Sequence, residues 1–166
     1  WTQTITNTGA GNTYGIKPTW TKVGVVDGSA TTNPFMVTPH DGDYQIGLWW
    51  AESAQDEWIM TPEFACGTGT NLNFWSYVHE GSIRNDHYYV KVSKDGGTTW
   101  DVVWDSSTLS VGQGTDGEGI QNAYDYAYDV DLGAYAGENI KLAWQAIDGD
   151  QGGMWFIWFI DAVTVT

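Results

Sequence analysis

The sequence is poor in positive charge, cysteine and long apolar runs. Its 166 residues include 6 Lys and Arg against 21 Asp and Glu, which gives a formal net charge of -15. Such a surface repels nucleic-acid phosphates and anionic lipid headgroups, and this argues against both as partners. The single Cys66 cannot form an internal disulfide. The longest apolar run, Met154–Ile160, is strand-sized and far below the roughly 18 residues of a membrane-spanning helix.

The first residues show no secretory signal pattern. The chain opens at Trp1 on a strand-like alternation, without a charged segment followed by an apolar one. We therefore expect residues 1–166 to form one module of a larger secreted or cell-surface protein, tethered there to other domains and monomeric when isolated.

Glycine and aromatic residues are abundant, with 21 Gly, 11 Trp and 9 Tyr, whereas only 16% of the residues are charged. Short β-rich runs recur between turn-forming clusters, a pattern typical of all-β sandwiches. We predict an almost helix-free structure of two antiparallel sheets packed face to face, with the termini on neighbouring strands. The predicted strands are Thr2–Thr6, Thr19–Val26, Tyr44–Trp50, Glu57–Thr61, Asn71–Glu80, His87–Ser93, Thr99–Trp104, Ala123–Asp131, Asn139–Ile147 and Met154–Thr166, the last with a bend near Asp161.

Several short motifs occur in an order that resembles the MAM-like and cleaved-adhesin ("choice-of-anchor") jelly-roll domains. The resemblance covers roughly residues 40 to 166, and Ala162 stands where the family pattern usually has a second acidic residue. The motifs are Gly42-Asp43-Tyr44, the run from Asp56 to Pro62, Leu72-Asn73-Phe74, the run from Tyr88 to Trp100, the run from Val130 to Ile140, and the run from Trp158 to Val165.

This resemblance implies a jelly-roll β-sandwich of two antiparallel sheets. It also implies a non-catalytic module of the kind found in secreted adhesins, proteases and polysaccharide-active enzymes. Many members of the family hold structural calcium, so the resemblance implies a calcium ion here as well.

The run from Ser93 to Trp100 fills every specified position of the Asp-box pattern S-x-D-x-G-x-T-W. In a tight hairpin of this kind Asp95 accepts backbone N–H bonds, Gly97 takes a positive φ, and Trp100 packs beneath the turn. A sialidase would need several such boxes and an arginine cluster, whereas this chain has one box and a single arginine, Arg84. The motif therefore predicts a structural hairpin and excludes a sialidase.

Calcium is the metal that the sequence favours, because it prefers carboxylate and carbonyl oxygens on loops. Asp41 and Asp43 flank Gly42, and Asp161 interrupts an apolar strand where a lone carboxylate would be costly to bury. We predict a structural calcium site at Asp43 and Asp161, with Asp41 as a weaker ligand. The alternative is that Asp41 and Asp43 form an ordinary turn and that Asp161 binds loop amides. The three histidines lack a zinc-type spacing.

Strand alternation places aromatic rings and polar groups together on one face. In the strand 71–80, Asn73, Trp75, Tyr77 and His79 oppose Leu72, Phe74 and Val78; in the next strand, Tyr89 and Lys91 oppose Val90 and Val92. Strand alternation alone does not show which of the two faces is buried. Burying Asn73, His79 and Lys91 without hydrogen-bond or charge partners would be costly.

We therefore predict an accessible carbohydrate-binding strip, since Trp and Tyr stack on sugar rings while amides and carboxylates bind hydroxyls. Trp75 and Tyr77 are the predicted stacking residues, with Tyr89 beside them, and Asn73 and His79 are the predicted hydroxyl partners. Gln145 and Asp129 are of the same chemical kind, and Trp50 and Trp155 are reserve candidates.

Two other classes of function remain open from the sequence. A protein-binding adhesin or assembly module would use the same exposed rings, since Tyr and Trp are enriched at protein interfaces too. An enzyme would need a deep pocket with strongly perturbed carboxylates, and no sequence motif indicates one.

Overall fold

The computed structural model describes residues 1–9, 15–28, 35–51, 53–80, 86–106, 124, 126–148 and 156–166. Within these ranges the chain forms β-strands and short 3-10 turns such as Gly133–Tyr135, and contains no α-helix. No helix in the described ranges is long and apolar enough to cross a membrane. The strands are β1 Thr2–Thr4, β2 Thr21–Val23, β3 Val26–Gly28, β4 Phe35–Val37, β5 Gln45–Trp49, β6 Asp56–Met60, β7 Phe64–Ala65, β8 Asn71–Glu80, β9 His87–Ser93, β10 Asp101–Asp105, β11 Tyr126–Asp131, β12 Asn139–Ile147 and β13 Phe156–Val165.

Two antiparallel sheets build the domain, as the sequence predicts. Sheet I has the strand order β1-β6-β12-β9-β10, with β7 paired to the start of β12. Sheet II has the order β11-β8-β13-β5-β2, and β3 and β4 form a separate hairpin. The predicted all-β jelly-roll sandwich is confirmed, and the predicted bounds of β8, β9 and β12 are exact.

The main core lies between the two sheets. Alternate residues of each strand point inward, and the largest fully buried side chains there include Trp144, Trp158 and Phe74. Burial of each such ring stabilises the fold by roughly 2–3 kcal/mol on transfer scales. The Trp158 indole satisfies its polar group by donating to Ser76 Oγ at 2.8 Å.

A second core covers the outer face of sheet II, and the sequence did not predict it. The β3–β4 hairpin contributes Val26 and Val37, which pack with Tyr77 from β8 and Phe159 from β13. Gly47 on β5 makes room for the Phe159 ring, because a Cβ at this position would lie 2.3 Å from Phe159 Cδ1. Sheet II is therefore buried on both faces along these strands.

The predicted bend in the last strand is present. The register of β13 against β8 shifts between Asp161 and Thr164, and Ala162 takes a positive φ of 48°. This bulge turns the Asp161 carboxylate toward the loop at His40 and Asp41. The prediction that the termini lie on neighbouring strands is wrong, because β1 belongs to sheet I and β13 to sheet II.

Candidate functional site

The predicted binding strip divides between the two sheets. It required β8 and β9 to be neighbours, but β8 pairs with β11 and β13, whereas β9 pairs with β12 and β10. The residues of β8 therefore cannot converge with Tyr89 and Lys91 on one face. This prediction is wrong because strands adjacent in sequence enter different sheets of the sandwich.

The β8 half of the strip lies under the β3–β4 hairpin. Tyr77 is 1% exposed, so the prediction that its ring is accessible for stacking is wrong, and burial raises its pKa to about 12. Trp75 is half-buried, and the His40 imidazole stacks on it with ring centroids 3.8 Å apart and planes at 19°. Trp75 as a sugar-stacking residue stays a prediction, with one ring face already taken by His40.

The other predicted residues have separate surroundings. Asn73 Nδ2 donates to Asp129 Oδ1 at 2.9 Å, so these two predicted hydroxyl partners bind each other. Trp50 is half-buried against the main core. The backbone of His79 pairs with Ile157, and its role in binding stays a prediction. Trp155 lies outside the described residues.

The outer face of sheet I brings a different set of rings and polar groups together. Gln145 on the central strand β12 pairs with Trp58 of β6 on one side and with Tyr89 of β9 on the other. Directly opposed side chains in antiparallel strands have Cβ atoms about 5 Å apart, so the three form a row across the sheet. Trp58 and Tyr89 are half-buried, whereas their chain neighbours Ile59 and Val90 point into the core.

Lys91 and Asp56 complete this group, which we call the aromatic platform (Asp56, Trp58, Tyr89, Lys91 and Gln145). Lys91 Nζ lies 4.7 Å from the Trp58 ring centroid and 5.0 Å from that of Tyr89. Burial lowers the pKa of Lys91, and the Asp56 carboxylate partly opposes this. Burial and the nearby Asp105 raise the pKa of Tyr89.

The Asp56 carboxylate fixes two members of the platform. Its Oδ1 accepts from the Trp58 indole at 2.7 Å and from Gln145 Nε2 at 2.6 Å. Gln145 Oε1 is buried and has no hydrogen-bond partner among the described residues. An orphaned buried acceptor costs about 1–3 kcal/mol, so a hydroxyl or water that reached it would be bound favourably. The platform therefore offers two rings, an ammonium donor and oxygen acceptors.

Of the three predicted calcium residues, Asp161 and Asp41 are joined by a hydrogen bond to the backbone, and Asp43 has no such bond to Asp161 among the described residues. Asp161 Oδ2 accepts from the N–H groups of His40 at 2.7 Å and Asp41 at 3.1 Å, and Oδ1 accepts from that of Ala162 at 2.7 Å. Asp41 and Asp43 are exposed on the same turn. These contacts agree with the alternative to a calcium site that the sequence left open, in which Asp161 accepts hydrogen bonds from loop amides.

A calcium ion at this turn would need further ligands. Across the described ranges, no group of three or more His, Cys, Asp or Glu residues lies close enough to hold a metal. The remaining oxygens would have to come from backbone carbonyls and water, as is common for calcium. Calcium at Asp43, Asp161 and Asp41 stays a prediction.

The hairpin that joins β9 and β10 has the contacts expected from its sequence. Asp95 Oδ1 accepts from the N–H groups of Thr98 at 3.0 Å and Thr99 at 2.9 Å, and Gly97 has a φ of 105°. A hydrogen bond from the Thr99 hydroxyl leads the contacts that hold the pKa of Asp95 well below its usual range. Trp100 donates from its indole to Gly97 O, and its ring lies 5.5 Å from that of Trp58. The hairpin thus extends the platform by one ring.

Sequence reasoning missed Trp58, although a signal for it existed. In Asp56-Glu57-Trp58-Ile59-Met60 strict alternation puts Trp58 opposite Ile59, but it also puts Glu57 on the core side. The structure buries Glu57 fully, where its Oε1 accepts from the N–H groups of Thr6 and Asn7. Burial raises the pKa of Glu57 above its ordinary value, despite these bonds. Because a carboxylate is not expected on the core side, Glu57 obscures the alternation that would place Trp58 on the outer face of β6.

Comparison with known proteins supports the architecture. No protein-family profile matches the chain, and no curated protein sequence matches it. Similar solved structures include the K1 cleaved adhesin domain of Lys-gingipain from Porphyromonas gingivalis W83, with a TM-score of 0.56, 16% identity and 89% of each chain covered. The K3 cleaved adhesin domain of the same protein has a TM-score of 0.50 and 20% identity, over 89% of this chain and 90% of that one.

A solved structure of carbohydrate-binding modules from the β-sandwich superfamily is also similar in fold. Its TM-score is 0.52 and its identity 15%, over 99% of this chain and 56% of that chain. At these identities the likeness shows the fold. It confirms the cleaved-adhesin-like and carbohydrate-module-like architecture that the sequence motifs predict.

Proposed function

We propose that the domain is a non-catalytic carbohydrate-binding module, located outside the cell or on its surface, and that the aromatic platform holds its ligand. The observation that carries the proposal is the row Trp58–Gln145–Tyr89 across three strands on the outer face of sheet I, in which both rings are half-buried. The two half-buried rings can stack on pyranose faces, and the Lys91 ammonium and the Asp56 carboxylate beside them can bind hydroxyls. Similar folds in adhesin domains and carbohydrate-binding modules support the class of function.

The charge of the protein narrows the ligand class. With a formal net charge of -15 and one ammonium on the platform, the domain would repel polyuronates and sulfated glycans. We therefore expect a neutral oligo- or polysaccharide. A calcium ion at Asp43 and Asp161 would act as a structural cofactor away from this face.

A glycan array probed with the isolated domain, followed by titration calorimetry with the best neutral ligand, tests the proposal. Trp58→Ala and Tyr89→Ala should each weaken binding by about tenfold or more, since aromatic anchors dominate such interfaces. Trp75→Ala removes the half-buried tryptophan that the sequence predicts as a stacking residue on the other sheet, and it should bind as the parent does if the platform holds the ligand. Loss of binding in Trp75→Ala alone, with the domain folded, would move the site to β8.

The second candidate function is a protein-binding adhesin or assembly module, and the same platform would then serve as the interface. Its aromatic rings suit this use too. Absence of any array signal, together with capture of a defined protein that Trp58→Ala abolishes, would favour this candidate over carbohydrate.

A further inference from the structure

Strand β1 differs from the other strands that end the two sheets. Residues 1–6, Trp-Thr-Gln-Thr-Ile-Thr, are all exposed and include no charged residue and no proline. β10 carries Asp101 and Asp105 and a register shift, β2 carries Lys22, and β11 carries Asp129 and Asp131. Charges and bulges are the usual protection of sheet edges against added strands, so β1 is the unprotected edge among these four.

An open cleft runs beside this edge, between the two sheets. It has a volume of about 420 Å³, and its floor is formed by Ile46, Ile59 and Ile160. Ile59 and Ile160 belong to the main core, so the cleft between the two sheets reaches residues of the core. A second cleft of about 580 Å³ continues it along the same side, sharing Trp1 and Val163.

Two exposed rings line the cleft: Tyr44, which precedes β5, and Trp1, which precedes β1 and packs against Trp144 with ring centroids 5.5 Å apart. Trp1 is 58% exposed and Tyr44 is 56% exposed. Lys22 Nζ lies 3.9 Å above the Tyr44 ring, and Gln3 of β1 lines the cleft nearby. Ile46, Ile59 and Ile160 offer no partners for hydroxyls, so the part of the cleft that they line suits an apolar side chain. Polar groups of a ligand would meet Gln3, Lys22, Gln45 and Asp161.

We propose that β1 and this cleft form a peptide-docking site, in which an extended, basic segment of a protein partner adds to β1 and inserts an apolar side chain between the sheets. β1 pairs only with β6 within the described residues, which leaves its other edge open for backbone hydrogen bonds. Charge complementarity selects the partner: the formal net charge is -15, Lys22 and Asp161 line the cleft with opposite charges, and Glu63 adds a negative charge in its continuation. Thr4 of β1 pairs with Trp58 of the aromatic platform, so the two sites are adjacent; the cleft itself lies on the inner side of sheet I, where Gln3 pairs with Ile59.

The probe is a fluorescent seven-residue peptide that alternates lysine with valine or phenylalanine. Its controls are the same peptide with glutamate for lysine, and one with proline at two apolar positions, which cannot pair as a strand. The cationic peptide should bind at least about tenfold more tightly than either control. Hydrogen exchange should slow in residues 1–6 when it binds.

Gln3→Lys should weaken binding of the cationic peptide by about tenfold, and Gln3→Glu should strengthen it, since the charge lies beside the docked strand. The matched control is Val102→Lys, which adds the same charge to the exposed edge strand at the other end of sheet I and should change affinity by less than about twofold. Thermal midpoints of all three variants establish that each is folded.

Three results would overturn the proposal. Equal weakening by Gln3→Lys and Val102→Lys would reveal diffuse electrostatic attraction. Equal binding of the proline-containing peptide would exclude strand addition. Self-association of the domain alone, abolished by Gln3→Lys in sedimentation velocity, would identify a second copy of the chain as the occupant.

Discussion

The outer faces of the two sheets differ in what covers them. Both carry alternating aromatic and polar side chains in their strands. The β3–β4 hairpin packs on sheet II and buries Tyr77 in a second core, whereas Trp58 and Tyr89 of sheet I stay half-buried on either side of the buried Gln145. Alternation along a strand therefore distinguishes two faces, but a segment far away in the sequence decides which outer face is available for binding.

The largest expected difference between the two faces is in stability. Tyr77→Ala should lower the free energy of unfolding by about 3–5 kcal/mol, because it leaves a cavity in the second core. Trp58→Ala, on the open face, should cost less than about 2 kcal/mol. Denaturant unfolding of both variants measures the difference. Equal costs would mean that the two faces are equally covered.

Gly47 tests the packing of the covered face from the other direction. Gly47→Ala would place a Cβ against the Phe159 ring and should destabilise the domain by about 1–3 kcal/mol through overpacking. The control is Gly67→Ala, where the nearest atom to an added Cβ is Thr70 Oγ1 at 3.6 Å. If Gly47→Ala lowers the free energy of unfolding no more than Gly67→Ala does, the second core is loosely packed and the two outer faces differ little in their packing.

The dependence of stability on pH tests the burial of Glu57 on the inner side of sheet I. Its pKa is raised by burial in the folded state, so between the unfolded value near 4.5 and the folded value the native state binds more protons than the unfolded chain. Stability contributed by protonated Glu57 is therefore present at low pH and is lost as pH rises through the folded pKa. Glu57→Gln should flatten this part of the profile of thermal midpoint against pH. An unchanged profile would exclude Glu57 as its cause.

The smallest expected effect concerns the turn at Asp161. If calcium binds at Asp43 and Asp161, EDTA should lower the thermal midpoint by a few degrees and excess calcium should restore it, because a ligand of the native state stabilises by mass action. Asp43→Asn should abolish the response. A midpoint that EDTA leaves unchanged in the parent domain would remove calcium from the account and leave the three backbone N–H bonds as the sole role of Asp161.

The sequence alone predicts the two-sheet architecture and some of the residues on the outer face of each sheet. Turn punctuation and alternation predict the bounds of β8, β9 and β12, the bulge near Asp161 and the Asp95 hairpin, because these depend on local backbone chemistry. The pairing of β12 between β6 and β9 depends on contacts distant in the sequence. Tyr89 and Gln145 could thus be recognised as candidates, whereas their convergence with Trp58 could not.

The covered face escaped prediction for a related reason. The short strands β3 and β4 lie in a stretch with weak alternation, and nothing in it indicates that it folds onto β8 and β13. Asn73 would be costly to bury only without partners, and Asp129 on the neighbouring strand accepts its hydrogen bond. Partners supplied by an adjacent strand make polar parity an unreliable guide to exposure.

The most direct test of the central claim is a titration of the ¹⁵N-labelled domain with the best neutral glycan, observed at the tryptophan indole N–H signals. Trp58 and Trp100 lie at the platform, whereas Trp75 lies on the other sheet and Trp158 is buried in the core. If the ligand binds the open face of sheet I, the indole signals of Trp58 and Trp100 should shift in a saturable way, while those of Trp75 and Trp158 stay in place. A saturable shift at Trp75 with Trp58 unmoved would contradict the account.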